Sequence, residues 1–418
     1  MNRCTFVFAV LSLVACGKKG DQQDQPPAAP PKVTDTAAKV GSAAAEVKDK
    51  AGSAVAAVQD KVGQAKDAVG GAGKAALTAE SYEKLIVGLE GCTIKGYDID
   101  GKCPAMLALR EGLKNSSTGL KDMAGMSAGV GKKLLGHASA PVRLYAAGLM
   151  GGLLGTDASS QDALVEAAAK ETDLGVLQGM IRTVANSGAR NPKVAELLLK
   201  SADHADVAVR LQAVYAISSG WNQEMKGGPE KLAAMVDGDK DPKVRQAACE
   251  YAGGLGAKSL VATYDKHTAK SDDKDLYSAC MKGLVAMFHN YPLYDTDEEG
   301  AYKLFLKRLN AKPRSEAAPP WTVMGAFRYA NTGDRNTKLV EWQKKATWFK
   351  PAEVKKALAG VIADKQSNWM SRTGAVESMA GLGANKKELE ALKVGYDAKE
   401  STDGYVLKKI DEALAKAP

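Results

Sequence analysis

Five short segments of this chain repeat one pattern at nearly constant spacing, and that regularity limits the fold more than any other feature. The strings APVRLYA (140–146), DVAVRLQA (206–213) and DPKVRQAA (241–248) share Asp or Ser, often Pro, and then Val-Arg-x-x-Ala. DLGV (173–176) falls between the first two and DKDL (273–276) follows the third. The valine-equivalent positions are 142, 176, 209, 244 and 276, in steps of 34, 33, 35 and 32. A repeat of this length is one supersecondary unit, unable to bury its apolar face alone, so successive units must stack.

Each unit is also preceded by an apolar segment at helical spacing, as in ALVEAAA (163–169), VAELLL (194–199) and KLAAM (231–235). The Asp or Ser is an N-cap, Pro suits the first helical turn where no amide hydrogen bond is needed, and Val and Ala face a neighbouring helix. From about Ser81 onward no strand-type alternation competes with the helical spacing. The pattern D-P-x-V-R-x-x-A resembles HEAT repeats. The resemblance implies an all-α solenoid of stacked antiparallel helix pairs over residues 80–418, with its arginines bonded to acidic groups of adjacent repeats. Val142, Arg143, Val209, Arg210, Val244 and Arg245 are therefore read as structural.

Beyond the fifth repeat the period loosens, and helices are expected near 298–311, 320–331, 336–346, 351–364, 369–382, 386–397 and 403–416. Residues 288–369 hold 12 of the 22 Phe, Tyr and Trp residues that follow position 15, including Trp321, Trp342, Trp348 and Trp369. These four are a candidate binding surface, because aromatics are favoured at binding hot spots. Core packing is the reading the composition favours.

The N-terminus has a different character. Residues 1–15, MNRCTFVFAVLSLVA, carry one cation, Arg3, ahead of an apolar run too short to span a bilayer, and end on small Ala15, as a signal peptide does. Leu13-Val14-Ala15-Cys16 resembles the lipobox at which bacterial lipoproteins are diacylated on the cysteine thiol and cleaved. The resemblance implies a lipid on Cys16, and Gly17, in place of an inner-membrane aspartate signal, points to the outer membrane. Residues 16–36 are then a Pro- and Gln-rich tether that cannot bury enough surface to order itself.

Residues 37–79 begin with AAKVGSAAAEV, KDKAGSAVAAV and QDKVGQAKDAV, an eleven-residue period in which Lys39, Lys50 and Lys61 align. Eleven residues make three helical turns, so each column keeps its place on the surface. The composition resembles LEA-type and apolipoprotein-like segments. A helix with Lys on one face and Val on the other can lie on lipid. Its apolar face is only Ala and Val, and its glycines weaken it, which favours a spacer.

Four cysteines remain after Cys4 and Cys16. In an oxidising compartment three pairings are open. Cys92 and Cys103 flank a short loop whose Asp100-Gly101 suggests a tight turn, and Cys249 and Cys280 hold nearly equivalent places in the second helices of consecutive repeats. These two local pairs are expected.

No catalytic constellation emerges, and no metal or cofactor is expected. His137, His204, His267 and His289 lack a second ligand at metal-binding spacing. The stretch 129–133 departs from a phosphate loop at Met126 and Lys133. The acidic run from Asp295 places Leu306 where a calcium loop needs glutamate, so it reads as the first turn of a helix. The 57 Lys and Arg, 56 without Arg3, face 49 Asp and Glu. The lysines are scattered, which argues against nucleic acid as a partner. The sequence thus suggests a non-enzymatic scaffold, held to a membrane through lipid on Cys16 and binding an envelope protein or polymer. Two alternatives are an enzyme resembling HEAT-like lyases and a mechanical envelope spacer.

Overall fold

The structure, a computed structural model, describes residues 76–118, 120–151, 158–185, 191–219, 225–269, 272–289, 297–311 and 346–417. Cys16 and its lipobox, the tether, the eleven-residue repeat, Trp321, Trp342 and the helices expected at 320–331 and 336–346 lie outside the described residues. The chain divides into two compact units, Met1–Lys193 and Val194–Pro418.

In the first unit α1 (Ala79–Val87) leads through a 3-10 turn to a hairpin of β1 (Ile94–Lys95) and β2 (Asp98–Ile99). There follow α2 (Pro104–Asn115), α3 (Leu120–Leu134), α4 (Ala140–Met150), α5 (Ala158–Lys170) and α6 (Leu174–Ala185). Helix α3 pairs with α4 and α5 with α6, while α3 also lies on α5 and α4 on α6. First helices stack on first helices and second on second, which is the solenoid arrangement. Val142, Ala146, Val176 and Met180 are wholly buried at these contacts.

The second unit takes most of α7 (Pro192–Ser201), then α8 (Val207–Ile217), α9 (Gly228–Gly238), α10 (Pro242–Ala252), α11 (Leu260–Thr268) and α12 (Lys274–His289). It continues with α13 (Glu298–Leu309), α14 (Pro351–Ala363), α15 (Trp369–Gly381), α16 (Lys386–Glu390) and α17 (Ser401–Leu414). The second helices α8, α10 and α12 form a row, α9 lies on α11, and α15 packs between α14 and α17. Val209, Ala213, Val244 and Ala248 are wholly buried in that row. The glutamates after Asp295 open a helix: Asp297 caps α13 by accepting from the Gly300 N–H at 2.8 Å, with Glu298 and Glu299 in its first turn. The helix expected over 386–397 is shorter, because α16 gives way to a 3-10 turn and the backbone turns at Gly395, φ +85°.

The repeat pattern has a concrete local meaning. Asp206 Oδ1 accepts from the Ala208 and Val209 amides at 2.9 and 3.1 Å, and Asp241 Oδ1 from Lys243 at 2.8 Å. Ser139 departs from the expected capping. Its hydroxyl makes no cap bond and is buried without a hydrogen-bond partner. Pro141 stands at the second helical position and has no N–H to offer, which leaves Ser139 only the Val142 amide, whereas Pro242 stands at the first.

In the three Val-Arg repeats the arginine reaches an acid of the next repeat. Arg143 meets Glu171 through Nε and Nη2 at 2.7 and 2.8 Å, and its Nη1 donates to the carbonyls of His137 and Ala138, both at 2.8 Å. Arg210 repeats the arrangement with Asp239, at 2.8 and 2.9 Å, and with the carbonyls of His204 and Ala205. Arg245 reaches Asp273 only at 3.5 Å, in a more exposed pair.

His137 and His204 each stand two residues before a cap and accept its N–H through Nδ1, at 3.1 and 3.0 Å. Glu171 and Asp239 occupy the same register and accept the same backbone proton in the repeats that the arginines reach.

Burial pushes the carboxyls of Glu171 and Asp239 upward, but hydrogen bonds from Arg143 or Arg210 and from backbone amides outweigh it and hold both below the usual range. A depressed folded-state pKa stabilises the fold above the unfolded value near 4 and loses that stabilisation as pH falls through the folded value. Arg210→Met is expected to lower stability at pH 7 by about 2–3 kcal/mol, the scale of buried charge-assisted hydrogen bonds. The difference from the parent protein should shrink below about pH 4, measured by urea unfolding across pH.

Both expected cysteine pairs are bonded, Cys92 to Cys103 with a Cα separation of 5.7 Å and Cys249 to Cys280 with 4.8 Å. The loop within the first pair is the hairpin, which the absence of strand alternation in the sequence did not suggest. Its reversal is at Gly96, φ +63°, and not at Asp100-Gly101, which forms a second turn closed by the Cys103 N–H on the Asp100 carbonyl at 3.0 Å. The hairpin rests on α6. A Cβ at Gly175 would sit 2.5 Å from the Gly96 carbonyl oxygen, and Arg182 of α6 bonds Asp98 at 3.1 Å and lies 4.5 Å over the Tyr97 ring.

Candidate functional site

The repeat register returns, unnoticed in the sequence, at NWMSRTGA (368–375). Asn368 caps α15 by accepting from the Met370 N–H at 2.8 Å, Ser371 takes the valine place and Arg372 the arginine place. Arg372 reaches forward to Asp403 of α17 at 3.1 Å, as Arg143 and Arg210 reach their own acids.

Trp369 and Met370 therefore fall on the first two helical positions, which in the DP repeat are the exposed Pro242 and Lys243. The frame that buries Ser371 and Ala375 turns these two large apolar side chains outward, with 37% and 49% of their surface exposed. Tyr405, 56% exposed, rises from α17 beside them. The Trp369 and Tyr405 rings stack with centroids 4.9 Å apart and planes at 26°. A cleft of about 180 Å³ is lined by Trp369, Thr373, Tyr405, Lys408, Lys409 and Glu412. Lys409 is held by Glu377 at 3.0 Å and by Glu412 at 2.8 Å, which raises its pKa, chiefly through Glu412. Among the described residues no carboxylate lies within ion-pair distance of the exposed Lys408.

The described aromatics thus divide. Trp348 contacts Tyr302 at 5.3 Å and Phe349 at 6.4 Å, in a cluster extended by Phe288 and Phe305, and serves packing. Trp369 is presented to solvent. Tyr405 and Met370 were missed in the sequence, although the match of 368–375 to the repeat pattern was available as a signal. Tyr215 and Tyr251 form a second exposed pair on α8 and α10, edge to face at 4.9 Å, with no cleft among those described.

The largest described cleft, about 540 Å³ in the first unit, is lined by Lys132, His137, Arg143, Glu166, Lys170 and Glu171 among others. Arg143, Glu171 and His137 are already committed to the clamp described above, and Lys132 donates to Ser159 at 2.7 Å. That cleft is framework. Residues 129–133, compared above with a phosphate loop, lie inside helix α3. Among the described residues no group of His, Cys, Asp and Glu is placed to hold a metal ion, and no helix is long and apolar enough to cross a membrane.

No family model and no curated protein sequence matches the chain. Solved structures similar to it include the complex of CpcE and CpcF of phycocyanin lyase from Nostoc sp. PCC7120, at 17% identity over 69% of this chain and 94% of that one, TM-score 0.32. An engineered protein is similar at 14% identity over 85% and 96% of the two chains, TM-score 0.34. A structure of microtubule polymerases with TOG domain arrays is similar at 12% identity over 85% and 96%, TM-score 0.24. At these identities and TM-scores none of them bears on what this chain binds.

Proposed function

We propose that this chain is a non-enzymatic binding scaffold of the bacterial cell envelope, anchored by lipid on Cys16 and presenting the Trp369–Tyr405 face to another envelope protein or polymer. The observation that carries this reading is the exposed aromatic stack, held on rigid helix ends by the repeat frame. Large aromatics in solvent cost free energy unless a partner covers them, and Trp and Tyr are the residues that most often anchor interfaces. The helical-repeat frame suits the role because stacked units offer extended binding surfaces. The lipid on Cys16 sets the location, at the outer membrane and facing the periplasm.

Affinity capture from detergent-solubilised envelopes tests the reading. The full chain should enrich a defined protein or polymer, and Trp369→Ala should lose at least about tenfold of it, the loss expected for a hot spot. In the same strains Cys16→Ala should abolish palmitate labelling and leave residues 1–15 uncleaved. Capture that enriches nothing, or is indifferent to Trp369, would refute the scaffold reading. Undiminished palmitate labelling of Cys16→Ala would refute the anchor.

A further inference from the structure

The cleft beside Trp369 has features that narrow its occupant. Its volume of about 180 Å³ lies below the roughly 300–1,000 Å³ of pockets that enclose a whole small molecule, so it takes one ring of something longer that passes over it. Its lining includes the stacked Trp369 and Tyr405 rings, and aromatic faces carry the negative side of the quadrupole, which attracts polarised C–H groups. Its rim holds both donors and acceptors: the ammonium groups of Lys408 and Lys409, the carboxylate of Glu412 and the hydroxyl of Thr373. The Thr373 hydroxyl donates to the Met370 carbonyl at 2.9 Å, so toward the cleft its oxygen accepts.

We infer that this cleft is a saccharide subsite, binding one pyranose ring of a polysaccharide strand with an acidic substituent on Lys408. A pyranose ring has an apolar face of axial C–H groups and a circumference of hydroxyls that both donate and accept. Such a group uses the aromatic lining and a rim of mixed polarity together. A proline-rich peptide would also stack on Trp and Tyr, but its prolines have no N–H for the Glu412 carboxylate. The acidic substituent follows from charge: Lys409 is bonded by two glutamates, while Lys408, exposed on the same rim, makes no ion pair among the described residues and has only a longer-range electrostatic interaction with Glu412, which Lys409 already bonds. The assignment rests on the scaffold reading above and specifies its partner as a glycan.

Saturation-transfer NMR on the full lipidated chain in detergent micelles tests it, with chitotetraose as a neutral probe and trigalacturonate as an acidic one. Both should receive saturation at ring C–H protons, and Trp369→Ala and Tyr405→Ala should each weaken binding at least about tenfold. Lys408→Gln should weaken trigalacturonate up to about fivefold, the reach of one exposed charge pair, and leave chitotetraose unchanged. Tyr215→Ala should change neither. Absence of saturation on both probes overturns the assignment, as does binding indifferent to Trp369. Binding confined to a decaproline peptide, added as a third probe, overturns it in favour of a protein partner. If the saccharides fail while envelope capture still depends on Trp369, the scaffold reading stands and the glycan assignment alone falls.

Discussion

Replacing Gly283 by alanine is expected to destabilise the second unit by at least about 3 kcal/mol, at the upper end of what overpacking costs. A Cβ there would lie 2.1 Å from the Cys249 carbonyl oxygen and 2.5 Å from the Tyr264 hydroxyl. Gly253→Ala meets the same junction from the other side, with its Cβ 1.8 Å from the Gly283 carbonyl oxygen. These obstacles are mostly backbone, so no side-chain rotation relieves them. The junction is also where the Tyr264 hydroxyl donates to the Cys249 carbonyl at 2.9 Å and where the Cys249–Cys280 bond staples α10 to α12. The two cysteines are 31 residues apart, and closing a loop of that length contributes about 3–4 kcal/mol in the chain-entropy account. The alanine variants hold the helices apart and therefore also oppose the bond. Thermal unfolding with and without reductant checks this. The parent protein should lose stability on reduction, and Gly283→Ala should start lower and lose less. A Gly283→Ala protein as stable as its parent would show that the helices do not approach this closely.

The second large effect is expected at Asp403. This carboxylate is almost wholly buried and accepts from Lys365 at 2.9 Å, Arg372 at 3.1 Å and the Asp397 amide at 3.1 Å. Arg372 is itself only 4% exposed, its Nε has no hydrogen-bond partner, and its guanidinium lies 5.5 Å from the Tyr396 ring centroid. Asp403→Asn removes the charge that permits Arg372 to stay buried, and breaking such a pair costs about 3–5 kcal/mol. A double variant, Arg372→Met with Asp403→Leu, should be closer to the parent protein, because it leaves no uncompensated charge.

Acid titration gives an independent check on Asp403. Burial pushes its carboxyl upward, but the bonds from Lys365, the Asp397 amide and Arg372 prevail and hold it below the usual range. Its contribution is therefore complete above about pH 5 and disappears as pH falls through the folded-state value, below about 4. Asp403→Asn should lack that step. Equal stability of Asp403→Asn and the parent at pH 7 would refute the clamp.

Much of this architecture was legible in the residues. Helix caps, proline positions and the valine and alanine places act within one or two turns, so DPKVRQAA announces a helix start wherever it occurs. The spacing of 32–35 residues then required stacking, and equivalent places in consecutive repeats brought Cys249 and Cys280 together on paper as they are in space. What escaped was set by partners distant in sequence. Ser139 is a capping residue type, yet Pro141 withholds one of the two amides that could bond it, and its hydroxyl stays unpaired. Asp100-Gly101 and Gly96 are both turn formers, and in the structure the hairpin reverses at Gly96, close against Gly175.

The recurring arginine was recognisable from the sequence alone, together with the helical-repeat class and the register of its first five units. Its acceptor was not: the acid stands at the second residue before the cap in two repeats and at the cap itself in another, and only stacking brings it within reach. Trp348 and Trp369 show the same division for the candidate site. Both are tryptophans in one aromatic-rich stretch, and composition treats them alike. The tertiary structure surrounds Trp348 with Tyr302 and Phe349 and places Trp369 at the open first turn of α15, because the repeat frame buries the third helical position and leaves the first to solvent.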